Sequence, residues 1–125
     1  MSDFIVFGGI NMDLFAYVPR STQEGETIEA SSVEFYLGGK GANQAVALSR
    51  LGAEVSFVGT LGKDQFGKEL EALVSAEKID LKNLRKQDGQ SGVALINVLK
   101  DGRNEVISFP GVNKKTSSKY VSEKD

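Results

Sequence analysis

The sequence predicts an α/β fold: a parallel sheet with crossover helices, carrying a second, smaller antiparallel β layer inserted in two pieces. Three observations carry this. Short apolar runs at Phe4–Phe7 and residues 55–58 alternate with amphipathic segments at residues 42–51 and 66–74, the β-α-β-α order of a parallel sheet. Between the first run and the first helix lies an excursion whose pattern is that of a half-covered strand rather than of this core. After the second helix, residues 93–99 and 105–109 flank an Asp101-Gly102 pair, the signature of a tight hairpin.

Phe4-Ile5-Val6-Phe7 is a short apolar run ending at Gly8-Gly9, a buried strand leaving its sheet at a glycine turn. Residues 14–18 are apolar or aromatic, and Pro19 to Gly25 reads as a loop. In residues 27–37, Val33, Phe35 and Leu37 alternate with Glu34 and Tyr36, which predicts a strand with one covered and one polar face. Ala42, Ala45, Val46, Leu48 and Leu51 then recur at helical spacing, and Gly52 stands where a helix-terminating glycine belongs. Val55-Ser56-Phe57-Val58 is a second buried strand, and residues 59–64 a loop with Asp64 as helix N-cap. Phe66, Leu70, Leu73 and Val74 mark the second amphipathic helix. Residues 1–113 thus form one unit, with second-layer segments at about 13–37 and 91–109. Residues 114–125 read as a polar tail or as the first turns of a helix.

Composition closes several routes to function. The 125 residues include no Cys and no His. That removes disulfides, thiolate nucleophiles, imidazole bases and Cys- or His-ligated metals. Carboxylates, amines, hydroxyls, amides and backbone groups remain. Fifteen Lys+Arg against seventeen Asp+Glu give a net charge of −2, with no basic stripe of the kind nucleic acids need. No apolar run approaches the roughly 20 residues that span a bilayer. The N-terminus lacks a basic segment followed by an apolar one. The expectation is a cytoplasmic protein with neither nucleic-acid nor membrane partners.

Two segments could carry chemistry. Gly8-Gly9-Ile10-Asn11-Met12-Asp13 follows the first strand, and ligands of open α/β sheets sit beyond the carboxyl ends of strands. Asn11 and Asp13 project to the same side of an extended backbone. An amide and a carboxylate offer the directed donors and acceptors that sugar hydroxyls require. Turn and capping roles suit the same residue types, and both readings stand. Gly38-Gly39-Lys40-Gly41-Ala42-Asn43 opens a helix. Three glycines in four residues are costly unless the backbone needs them, which favours a ligand over a plain helix-entry turn. Neither the Walker A nor the Gly-x-Gly-x-x-Gly spacing is met, so the N–H groups suit neutral hydroxyls, with Asn43 adding an amide. Residues 59–67 read as structural.

Together these segments resemble the N-terminal part of the ribokinase/PfkB family of carbohydrate kinases. The resemblance rests on Gly38 to Ala45 with Gly52 and Gly62, on Gly9 to Asp13, on Gly25-Glu26-Thr27, on Gly59 to Gly67 and on Ser91 to Ile96. It covers residues 4 to 113, and the Gly38 to Ala45 wording is nearest to ribokinase. It implies a doubly wound ribokinase-like α/β domain with a small β lid, here as its N-terminal portion only. It implies that Asn11 and Asp13 hydrogen-bond a ribose-like sugar. Gly38, Gly39, Lys40, Gly41 and Asn43 would complete the cradle, and Ala94 and residues 106–109 would add apolar contact. It also implies ATP and Mg²⁺, with sites mostly in the part not present, and homodimerisation through the lid. The family's Gly-Ala-Gly-Asp base motif does not occur in the chain. Nor does Asn-x-x-Glu: Leu14, Val46, Lys86, Lys100, Ile107 and Thr116 stand three places after the six asparagines. The expectation is therefore a sugar-binding portion of an ATP-dependent sugar kinase that is inactive alone. The alternatives are a stand-alone sugar-binding or lid-mediated interaction module, and a decayed remnant.

Overall fold

The computed structural model describes residues 2–125 as two sheets and two α-helices. The first sheet is wholly parallel. Strand β1 (Phe4–Phe7) pairs with β4 (Val55–Gly62), whose other edge takes the short β5 (Ile79–Asp80) and β6 (Leu84–Gln87). The second sheet has the order β3-β2-β7-β8, with β2 at Asn11–Val18, β3 at Ser32–Gly38, β7 at Gly92–Leu99 and β8 at Asn104–Phe109.

The second sheet departs from the purely antiparallel layer that the sequence predicts. Its outer pairs, β2–β3 and β7–β8, are antiparallel, but β2 and β7 run parallel. Both excursions leave the first sheet at the same end, so their outgoing strands point the same way. The β7–β8 connection is the predicted hairpin: Leu99 N–H bonds to Arg103 O (2.8 Å), and Gly102 takes a φ of +91° in the turn.

Helices α1 (Lys40–Arg50) and α2 (Gln65–Ser75) lie on one face of the parallel sheet. Their buried Ala42, Ala45, Leu70 and Val74 join Val6, Val55, Phe57 and Leu61 in one apolar cluster with Ile10 and Met12 at the root of β2. Each fully buried Leu or Val there contributes about 1.5–3 kcal/mol. A doubly wound sheet carries helices on both faces. In this chain the opposite face leaves Ile5 and Phe7 about half exposed. Part of that face is covered by two 3₁₀ turns, Gly111–Lys115, which runs into the segment 114–125 read as tail or helix start, and Ser118–Tyr120 within it. Thr60 Oγ1 meets Thr116 Oγ1 at 2.6 Å and donates to the Tyr120 hydroxyl at 3.2 Å.

Three readings of the sequence change. Every residue of β4 is buried and the strand runs to Gly62, so Gly59 to Gly62 are sheet rather than loop. The strand predicted over residues 27–37 begins only at Ser32, and its expected covered face is open: Val33 is 54% and Phe35 59% exposed. Strands β5 and β6 are too short and too polar for a sequence pattern to reveal. No helix among the described residues is long and apolar enough to cross a membrane.

Asp64 ties the two sheets together. Its Oδ1 accepts from Gly67 N–H (2.9 Å), capping α2, and from the Ser91 hydroxyl (2.7 Å). Its Oδ2 accepts from Ser91 N–H (2.9 Å), and Ser91 Oγ accepts from Gly62 N–H (2.9 Å). Burial pushes this carboxyl up, but the bonds from Ser91 and Gly67 outweigh burial and hold it below the usual range. A depressed folded pKa stabilises above the unfolded pKa, and the stabilisation is lost as pH falls through the folded one. Asp64→Asn sets an amide N–H₂ against a donor, so it should cost about 1–3 kcal/mol at neutral pH. Thermal unfolding across an acid pH series should show this gap closing as the wild-type carboxyl protonates.

Candidate functional site

The site forms where β1 ends, β2 begins and α1 starts. Gly39, at φ +97°, sits so close to the preceding segment that a Cβ there would lie 2.6 Å from Gly9 O. A Cβ on Gly41 would lie 2.8 Å from Gly8 Cα. Only glycine admits this crossing. Ala42 N–H donates to Gly9 O (3.0 Å) and Asn43 N–H to Gly39 O (2.8 Å). The N–H groups of Lys40 and Gly41, earlier in the first turn, have no intrahelical acceptor.

Strand register then places the side chains. Asn11 pairs with Gly38 and with Gly92; Asp13 pairs with Tyr36 and with Ala94. Side chains alternate along a strand, so Asn11, Asp13 and the buried Ala94 share one face of the second sheet. The glycines beside them make room: a Cβ on Gly38 would overlap the Asp13 carboxyl, and one on Gly92 would overlap Asn11 Oδ1. Farther out on the same face Phe15 and Tyr36 stack edge-on, 5.5 Å between centroids. Of residues 106–109, Val106 and Ser108 share this face, through their register with Ile96 and Ala94, whereas Ile107 and Phe109 turn to the other.

The polar atoms are unequally satisfied. Asp13 Oδ1 is buried with no hydrogen-bond partner, and burial raises the carboxyl above its ordinary range. An unpaired buried acceptor is costly unless a ligand supplies the donor. Asn11 Oδ1 accepts from Asn113 Nδ2 at 2.8 Å, which leaves its own amide nitrogen to face outward.

The fold therefore gathers Asn11, Asp13, Gly38, Gly39, Gly41 and Ala94 around one point. Lys40 and Asn43 stand exposed at the start of α1, and Asn43 lines a crevice of about 340 Å³ between α1 and β3 with Phe35, Leu37 and Val46. Sequence reasoning misses Asn113. It lies 102 positions from Asn11 in a polar stretch, and its only local signal is the turn-forming Pro110-Gly111 before it. Among the described residues no group of three carboxylates converges on one point.

The pfkB family carbohydrate kinase model matches residues 1–125. The ribokinase of Haemophilus influenzae is 36% identical over 121 residues, covering 96% of this chain and 40% of that protein. The structure of Arabidopsis thaliana ribokinase complexed with ribose and ATP superposes with a TM-score of 0.79 at 36% identity, covering 90% of this chain and 37% of that one. Ribokinase from Cryptococcus neoformans in complex with ADP gives 0.78 at 31% identity, with 89% and 35% covered. The chain spans about 40% of the length of the curated ribokinases it matches. A matching model over the whole chain, a shared ribokinase-like α/β fold and glycine-built strand ends place it: the chain belongs to the pfkB family of carbohydrate kinases, as the N-terminal part of a ribokinase-like kinase.

Proposed function

We propose that this chain is the sugar-holding portion of an ATP-dependent sugar kinase, binding a ribose-like sugar through Asn11 and Asp13. One observation carries the reading: the buried, unpartnered Asp13 Oδ1 beside an outward-facing Asn11 amide nitrogen. A sugar hydroxyl is donor and acceptor at once, so it can donate to the carboxylate and accept from the amide. The free N–H groups at the start of α1, with Gly38, Gly39 and Gly41 admitting close approach, suit further hydroxyls. Ala94 offers apolar contact from the lid, and Lys40 and Asn43 stand exposed at the start of α1. The similar ribokinase of Arabidopsis thaliana is complexed with ribose and ATP, which supports the sugar class and the phosphoryl donor.

Phosphoryl transfer moves the γ-phosphoryl group to a sugar oxygen while that hydroxyl loses its proton. It depends on a placed base and on charge stabilisation at the phosphate. The chain carries neither the Gly-Ala-Gly-Asp nor the Asn-x-x-Glu sequence and no carboxylate cluster among its described residues. The 125-residue chain by itself should therefore bind sugar without turning ATP over, the behaviour of a sugar-binding module. Calorimetry with D-ribose should give saturable heat, and ADP release with ribose, Mg²⁺ and ATP should stay at background. Asn11→Ala and Asp13→Ala should each weaken binding roughly 10- to 100-fold. Unchanged affinity in both variants would remove the site.

The raised Asp13 carboxyl has a separate consequence. A carboxyl whose folded pKa lies above its unfolded value destabilises the fold once ionised, and protonation relieves the cost. Asp13→Asn should unfold at a higher temperature than wild type at neutral pH, with the difference shrinking as pH falls into the carboxylate range. Ribose binding by wild type should weaken over that same fall, since the protonated carboxyl loses acceptor strength.

We also propose that two lids pair. The lid face away from Asn11 and Asp13 carries Val33, Phe35, Leu95 and Ile107, exposed by 54%, 59%, 46% and 67%. A contiguous apolar patch of this kind marks an interaction surface. Light scattering should give a dimer mass, and Leu95→Glu with Ile107→Glu should return a monomer.

A further inference from the structure

Asn113 follows the lid hairpin by four residues, yet its side chain reaches back to the start of β2. Asn113 Oδ1 accepts from Ile10 N–H at 3.0 Å. Its Nδ2 donates to Ile10 O at 3.2 Å and to Asn11 Oδ1 at 2.8 Å. The two backbone groups of Ile10 have opposite polarity and both face the same side chain. A rotated Asn113 amide would set its N–H₂ against Ile10 N–H and its oxygen against Ile10 O, so only one orientation is tolerated. That orientation spends both hydrogens of Nδ2. It then dictates the next amide: Asn11 must turn its oxygen to Asn113, and its nitrogen is left for the ligand. Gly92 makes the contact possible, because a Cβ there would overlap both Asn113 Nδ2 and Asn11 Oδ1.

We infer that Asn113 is a positioning residue that sets the polarity of the sugar site, making Asn11 a donor beside the acceptor Asp13. The inference rests on the sugar-binding reading for its consequence, but not for its geometry. It defines the ligand group as one that accepts at Asn11 and donates at Asp13. A hydroxyl does both; an ether or carbonyl oxygen cannot serve Asp13, and an ammonium cannot serve Asn11. The polarity passes from the Ile10 peptide to Asn113, then to Asn11, then to the ligand. The 3₁₀ turn that follows the lid hairpin thereby fixes a group at the lid's root.

Side-chain amide hydrogen exchange, followed by NMR on the wild-type chain, tests the geometry with no substitution. Both Asn113 amide protons should be protected in the free chain. Those of Asn11 should exchange fast and become protected only when D-ribose is added. Protected Asn11 protons with fast-exchanging Asn113 protons in the free chain would overturn the inference. Asn113→Asp tests the consequence. It keeps an acceptor for Ile10 N–H but places its second oxygen against Ile10 O and Asn11 Oδ1. The Asn11 amide then turns to donate to Asp, and the ligand meets an oxygen beside a carboxylate. Ribose affinity should fall roughly tenfold or more. In an Asn11→Ala background the same change should cost ribose affinity nothing further, whereas a merely structural role would cost the same in both. A folded Asn113→Asp chain with wild-type affinity would also overturn the inference. If the wild-type chain does not bind ribose, the sugar reading fails, and amide exchange in the free chain still decides the polarity.

Discussion

The whole arrangement depends on two backbones crossing closer than any side chain allows. Gly8-Gly9, at the exit of β1, lies against Gly39 and Gly41, at the entry of α1. The hydrogen bond from Ala42 N–H to Gly9 O closes the contact. This crossing does two things at once. It docks the helix end against the strand end, so Ala42 and Ala45 can bury against Val6 and Phe57. It also brings the first turn of α1 beside the first residues of β2, where Asn11 and Asp13 stand. Gly38, Gly39 and Gly41 are poor helix and strand formers by intrinsic preference. They are there because packing and site geometry require the same absent Cβ atoms.

Asp13 shows the cost of that geometry. Its carboxyl packs over Gly38, shielded from water and lacking a partner for one oxygen. Stability alone favours a neutral side chain at this position. Asp64, in the turn between β4 and α2, is the contrast: a carboxylate with donors on both oxygens and a pKa drawn downward. One carboxylate is spent holding the sheets together. The other is left with one buried oxygen unsatisfied, a cost that a bound donor would offset.

Much of this was legible in the sequence, and the failures have physical causes. The apolar runs at Phe4–Phe7 and residues 55–58, the helical spacing of Ala42, Ala45 and Leu48, and the Asp101-Gly102 turn were each readable because local pattern and tertiary role agree. Gly59 to Gly62 misled because glycine usually marks a turn; here Gly59 leaves room for the Phe57 ring of the same strand, and Gly62 lets the segment Gly89 to Ser91 come close. Val33 and Phe35 alternate as a covered face should, and alternation reports which side is apolar, not what covers it. The parallel β2–β7 pair was unreadable for a different reason. Pairing between segments some eighty residues apart is set by how both leave the core, and no local signal carries it. Asn113 fails in the same way: a lone asparagine in a polar stretch gains its meaning only when the hairpin returns it to Ile10 and Asn11.

That parallel pair explains why the candidate site needs both excursions. Residues on β2 meet residues on β7 in a fixed register, Asn11 with Gly92 and Asp13 with Ala94. A slip of one residue would carry Asn11 and Asp13 to the opposite face relative to Ala94, and a bulkier neighbour than Gly92 would collide with Asn11. Register on a two-sided sheet with exposed apolar faces is weakly determined by burial alone. The polar contacts at its root supply what burial does not. Ser91, one residue before Gly92, is held on Asp64 and Gly62, and Asn113, four residues past β8, is held on Ile10. Both ends of the second excursion are therefore pinned to the first sheet or to the start of β2. The second sheet can differ in what its outer strands touch, while the residues at its root stay opposite one another.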